Sequence, residues 1–436
     1  MFAPFLLATL AAAPALPERV LPAPIRVERL QSGLTIAMVP FPAGGVIALD
    51  VRVRAGARDE QAVTGVAHLV EHLLFKGTAK LPEAQLKQKL QSLAVDANGE
   101  TDHDYTLFSD VAPAASLPAL IELEADRVQH LVVTNEAVAS EAGAVRSEAE
   151  ARAADPEARL GWALDAAAFP HHPYGRRPIG TREDLRNLHA AASAARAFYT
   201  RHYRPDATLL VLAGDFDPDE ALARIKQAWG AWKGKAIDEL VPPEPPSSTE
   251  IRTTIEERNA PPVERVGFRV PPAHTHETAV ALVLAELLGG PLSALHRKLV
   301  LERDLADRVE AEAPRRRDEA LFCVALVAQK PGSLGELEQA LDEELRGLRE
   351  GKLDRDQLER ARRAVLWGTV SRLQTPAQVA REVAIDSAAT GDARAAERIY
   401  ADIGSIDVAS MTAYSRAYLV PERRATARLE APEARP

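Results

Sequence analysis

Apolar and polar positions divide the chain into short extended runs and longer helical segments. Ile47–Val53 (IALDVRV) and Thr208–Ala213 (TLLVLA) read as strands, separated by long Ala-, Leu-, Glu- and Arg-rich stretches. One of these, Asn135–Ala154, reads as a helix, with Thr134 as its N-cap and Pro156 just past its end. After a Pro/Ser-rich stretch at Val241–Ser248 (VPPEPPSS), the alternation returns. There Val263–Val270 and Leu321–Ala328 read as strands and Glu336–Arg349 as a helix. A local echo pairs the halves: Tyr199-Thr-Arg-His-Tyr-Arg-Pro205 in the first, Tyr414-Ser-Arg-Ala-Tyr-Leu-Val-Pro421 in the second. Mixed strands and helices in each half predict an α+β fold, with helices layered on a sheet. The expected division is a first domain over 24–240, a linker over 241–250 and a second domain over 251–436, in line with a length of 436 residues.

Within Gly65–Thr78 (GVAHLVEHLLFKGT), His68, Glu71 and His72 form H-x-x-E-H. At about 100° per residue a helix stacks the two histidines one turn apart, with Glu71 beside His72. Two neutral imidazoles so placed can hold one Zn²⁺, and the carboxylate can take a proton from water at the metal. The same spacing among Leu69, Val70, Leu73 and Leu74 also suits two satisfied core histidines, and the five-residue pattern leaves both readings open.

The longer string HLVEHLLFKGT resembles the active-site segment of the pitrilysin, insulinase and mitochondrial processing peptidase superfamily, whose members are inverzincin zinc peptidases. The resemblance implies a third metal ligand, a Glu some 75 residues on, with another Glu seven residues before it. Glu148 and Glu141 stand at those places. Seven residues are close to two helical turns, so both share a face of the Asn135–Ala154 helix, while Glu150 points elsewhere. Val95–Phe108 (VDANGETDHDYTLF) is similar to the family's N-A-x-T-x-x-x-x-T strand, which pairs with substrate backbone. Asn98, Thr101 and Thr106 match it, and Gly99 stands where Ala is usual. Glu124–Arg127 (EADR), His172–Gly175 (HPYG) and Gly180 also match family positions, where packing and loop geometry are the expected roles.

The resemblance therefore implies two pseudo-symmetric domains forming half of a clamshell, only the first carrying metal. It implies a zinc endopeptidase with one Zn²⁺ per chain on His68, His72 and Glu148. Glu71 would be the general base toward a zinc-activated water, Glu141 a supporting carboxylate, and Asn98 and Gly99 the substrate-binding edge. The other readings are a non-catalytic assembly subunit and a peptide-binding module; the intact ligand set and Glu71 count against both. In the family a later segment resembling L-R-x-x-x-G-L-x-Y closes over the substrate. The matching stretch here, Leu299–Asp307, has Val300 in place of the Arg and Asp307 in place of the Tyr. A heterodimer with a paralogue lacking H-x-x-E-H but bearing the Arg and Tyr follows as an expectation.

Composition narrows the setting. There are 53 Lys plus Arg against 63 Asp plus Glu, and a net charge of −10 argues against nucleic acid or an anionic membrane as partner. The single cysteine, Cys323, excludes an intrachain disulfide and reads as a buried small hydrophobe. Met1–Ala15 has a short apolar core and an Ala13-Pro14-Ala15 sequence like a cleavage site, which predicts export to a bacterial periplasm, with a cytoplasmic location as the alternative. No further stretch reads as an integral membrane span.

Overall fold

The computed structural model describes residues 16–181, 183–234, 240–258 and 260–432. The expected export signal, 1–15, lies outside them. The first sheet contains β1 (Arg26–Arg29), β2 (Thr35–Pro40), β3 (Val46–Val53), β4 (Asp96–Thr101), β5 (Thr106–Pro113) and β6 (Thr208–Gly214), in the order β1-β2-β6-β3-β5-β4. The second contains β7 (Ile251–Glu256), β8 (Val263–Val270), β9 (Ala306–Glu312), β10 (Ala320–Ala328) and β11 (Arg424–Glu430), in the order β7-β11-β8-β10-β9. In both sheets one pair is parallel, β2 with β6 and β7 with β11, and the other pairs are antiparallel. Omitting β1, the two sheets have the same strand order and the same directions. The tyrosine echo falls at equivalent places, in the helix before β6 and the helix before β11, with ring centroids 5.1 Å apart for Tyr199–Tyr203 and 4.8 Å for Tyr414–Tyr418. The fold is α+β with two homologous layered domains.

Five helices position the site and join the halves: α1 (Val66–Leu73), α2 (Asn135–Ala154), α3 (Pro156–Ala168), α4 (Thr275–Gly289) and α5 (Pro376–Thr390). Central strand β6 is buried along its whole length, so it needs cover on both faces. On one face lies the core of Leu49, Val51, Leu69, Val70, Leu73, Leu210 and Leu212. On the other face α5, from the second half of the chain, packs Val379, Ala380 and Val383 against Ala48, Val211 and Ala213. The reciprocal exchange is made by α3, whose Leu160 and Leu164 pack on Val263, Leu321, Ala427 and Leu429 of the second sheet. Each fully buried Leu contributes about 1.5–3 kcal/mol, so these exchanged helices are a substantial part of both cores.

Two sequence readings change. Val95–Phe108 is not one strand but β4 and β5 joined by a turn, because Asp102, His103 and Asp104 interrupt the extended run and Asp102 N–H donates to Tyr105 O at 3.0 Å. Cys323 is only half-buried, on the face of β10 that lines a cavity of about 1040 Å³ between the two sheets. The segment Thr275–Glu302, helical on both sides of a break at residues 290–293, contains an 18-residue window with the mean hydropathy, 1.7, of a membrane span. Val280, Val283, Leu284, Leu287 and Leu288 are nevertheless buried against the second sheet, as in a core helix.

Candidate metal centre

Helix α1 starts at Gly65, whose φ of +77° favours glycine, and Gly180 packs so closely there that a Cβ on it would lie 2.5 Å from Gly65 Cα. The buried Glu60 carboxylate accepts from Gly65 N (3.0 Å) and Ala67 N (2.8 Å), satisfying free donors at the helix start. Val66, Leu69, Val70 and Leu73 face the core, which turns His68, Glu71 and His72 toward α2 and β4. Helix α2 begins at Thr134, whose side chain accepts from Ala137 N, and runs from Asn135 to Ala154.

His68, His72 and Glu148 converge, each offering one ligand atom within 4.8 Å of the others. Glu148 Oε2 lies 3.7 Å from Nε2 of both histidines. A tetrahedral zinc with bonds of roughly 2.0–2.2 Å separates its ligands by about 3.3–3.6 Å, so the donor set fits such an ion in size and chemistry. The second Glu148 oxygen is held by Arg152 at 2.8 Å. His72 Nδ1 meets Glu141 Oε2 at 3.1 Å, which fixes the tautomer with Nε2 free toward Glu148. His68 Nδ1 is buried without a protein partner. Burial, together with His72, lowers the His68 imidazole to about 4 and keeps it neutral, as a metal ligand must be.

Glu71 is buried, with Oε2 accepting from Thr101 Oγ1 at 2.6 Å and lying 3.9 Å from His68 Nε2. Among protein groups alone, burial pushes its carboxyl up to about 7, and a neighbouring divalent cation would pull it back. Gly99 lies against this carboxylate: a Cβ there would stand 2.6 Å from Glu71 Oε1. Asn98 is exposed on β4, the outermost strand of its sheet, whose far edge has no strand partner among the described residues.

Sequence reasoning gave no role to Lys76, which lies 3.1 Å from Glu141 Oε1 and 2.7 Å from Glu83. Burial would raise Glu141, but hydrogen bonds from Lys76 and His72 hold it below the usual carboxylate range. The FKGT tail of the motif supplied the only sequence signal for it. Glu244 was also missed: within the Pro-rich stretch Val241–Ser248, its carboxylate accepts from His171 N (3.0 Å) and His172 N (2.7 Å). The EADR segment is packing, with buried Glu124 and Arg127 ion-paired and the Arg127 guanidinium 4.7 Å and 4.8 Å from the Phe75 and Phe108 rings. Val300 is partly buried against the second core, and Asp307 is exposed on edge strand β9.

Residues 42–182 match the family profile described as "Insulinase (Peptidase family M16)", and residues 190–365 match the one described as "Peptidase M16 inactive domain". The chain belongs to peptidase family M16. Within M16 it is 27% identical over 363 residues to "Zinc protease PqqE" of Helicobacter pylori, covering 80% of each chain. The crystal structure of a protease from Helicobacter pylori superposes with a TM-score of 0.84 at 24% identity, over 95% of this chain and 100% of that one. The periplasmic protease PqqL from Escherichia coli gives a TM-score of 0.77 at 19% identity; 97% of this M16 chain covers 48% of that one, so the fold here corresponds to half of the longer molecule.

Proposed function

We propose that this M16 chain is a zinc-dependent endopeptidase acting on extended peptides. The observation that carries the reading is the convergence of His68, His72 and Glu148 around one point, with the buried Glu71 carboxylate beside it. Zinc held by His68 Nε2, His72 Nε2 and Glu148 would supply Lewis acidity toward the scissile carbonyl and toward water. Thr101 aims Glu71, which takes the proton of the attacking water and later delivers it to the leaving amine. Glu141 orients His72. The free edge of β4, around Asn98 and Gly99, accepts the substrate as an added strand, with main-chain hydrogen bonds giving affinity.

The side chains of Val300 and Asp307 cannot donate to a developing oxyanion where the family segment carries Arg and Tyr. We therefore assign the working enzyme to a heterodimer with a paralogue that lacks H-x-x-E-H and carries the Arg and Tyr. The signal-like Met1–Ala15 and the periplasmic relative support export to the periplasm. A fluorogenic peptide offered to the zinc-loaded chain, alone and with such a paralogue, tests the reading. Hydrolysis that appears on mixing and disappears in Glu71→Gln supports it; no hydrolysis by the reconstituted pair would overturn it.

A further inference from the structure

Among the described residues strand β4 is paired with β5 on one side only, yet its last residue, Thr101, holds the Glu71 carboxylate. An edge strand so placed has freedom to shift unless its end is anchored. The anchor comes from the second domain. The β9–β10 connection reads Pro314-Arg-Arg-Arg-Asp318 and inserts against the β4–β5 turn. Arg316 lies 2.7 Å from Asp102, the residue after Thr101. Arg317 N donates to Asp104 Oδ2 at 2.9 Å, and its guanidinium lies 3.2 Å from Asp59. Asp104 is fully buried and also accepts from Tyr174 OH at 2.7 Å and 2.9 Å. Asp318 completes the joint by pairing with Arg58 and with His172 Nε2 at 3.2 Å, so the HPYG loop is its third side. A simple hairpin turn needs none of these partners.

We propose that Arg316 and Arg317 are positioning residues for Glu71, acting across the domain boundary through Asp102 and Asp104 to fix the end of β4 and with it Thr101. The proposal rests on the reading of Glu71 as the base. It makes the metal-free domain part of the catalytic geometry without any contact between Arg316 or Arg317 and His68, His72 or Glu148.

The test uses the full-length zinc-loaded chain with its partner and compares wild type, Arg316→Met and Arg316→Lys. Zinc content, amide exchange over residues 96–106, and kcat and KM on a fluorogenic peptide are measured. In Arg316→Met zinc content should stay at the wild-type level, exchange over 96–101 should rise about tenfold, and kcat should fall roughly 10–100-fold with KM changing less, as expected for a base displaced by a fraction of an ångström. Arg316→Lys keeps a cation at Asp102 and should recover most of kcat. Wild-type kcat in Arg316→Met, or an equal loss in both variants, would overturn the proposal. Should Arg316→Met fail to fold, Tyr174→Phe removes the hydroxyl that donates to Asp104 and accepts from Asp318 N, loosening the same joint, and the same exchange and kcat changes are expected of it. The exchange measurement needs no substrate. A wild-type pair that cleaves nothing would therefore sink the peptidase reading, whereas unchanged exchange in Arg316→Met would sink this one.

Discussion

Replacing Glu141 by Gln keeps the shape of the side chain and removes its charge. Glu141 holds His72 Nδ1 at 3.1 Å and is only 14% exposed, so this is a charge-assisted hydrogen bond largely sheltered from water. Such bonds are worth about 1.5–3 kcal/mol. Loss of a comparable support behind a ligand histidine typically lowers metal affinity by roughly 10–100-fold, which corresponds to about 1.4–2.8 kcal/mol. The two figures agree, so Glu141→Gln is expected to weaken zinc binding by roughly 10–100-fold. Lys76→Met leaves the carboxylate in place and removes a contact 3.1 Å away that is partly open to solvent, so its expected effect is about threefold. Competition against a chelating indicator at fixed pH measures both without any peptide substrate. Zinc affinity within twofold of wild type in Glu141→Gln would refute the claim that this carboxylate fixes His72.

As purified, the chain should carry about one zinc, and the double variant His68→Ala, His72→Ala should carry none; stoichiometric zinc in that variant would end the assignment. Glu71→Gln should retain zinc while hydrolysis by the reconstituted pair falls about 10²–10⁴-fold, and near-normal turnover would reduce Glu71 to a packing residue. Asp50, buried on the face of β3 covered by α5, is raised by burial from 3.8 to about 7. Its protonated form therefore contributes stability that is full below pH 3.8 and is lost as pH rises through about 7, roughly 4 kcal/mol at most. Asp50→Asn should flatten thermal stability across that window and exceed wild type at pH 8; an unchanged pH profile would contradict the burial argument.

Local chemistry was legible in the sequence wherever one segment carried its own signal. Thr134 as N-cap and the limits of Asn135–Ala154 followed from capping and composition alone, and Leu321–Ala328 from its apolar run. The spacing of Glu141 and Glu148 placed both carboxylates on the face that meets the histidines. Long-range contacts were not legible. Nothing near Lys76 points to Glu141, 65 residues away by position, and nothing in VPPEPPSS announces that Glu244 caps the His171–His172 backbone. Hydrophobic periodicity says that a helix has an apolar face but not which sheet receives it, so the crossing of α3 and α5 between the halves was invisible.

That crossing bears on how the polypeptide can be taken apart. Each sheet is closed on one face by a helix supplied from the other half. Cut within Pro242–Pro246, each fragment would keep a sheet with one bare apolar face and an apolar helix with nothing to cover. The bare face of each piece matches the orphan helix of the other. Expressed separately, the fragments should aggregate; produced together, they should find one another and rebuild the native assembly. In that sense the molecule behaves as a helix-swapped dimer whose two members happen to be sewn into one strand, and its halves cannot be lost, shuffled or borrowed by other proteins one at a time.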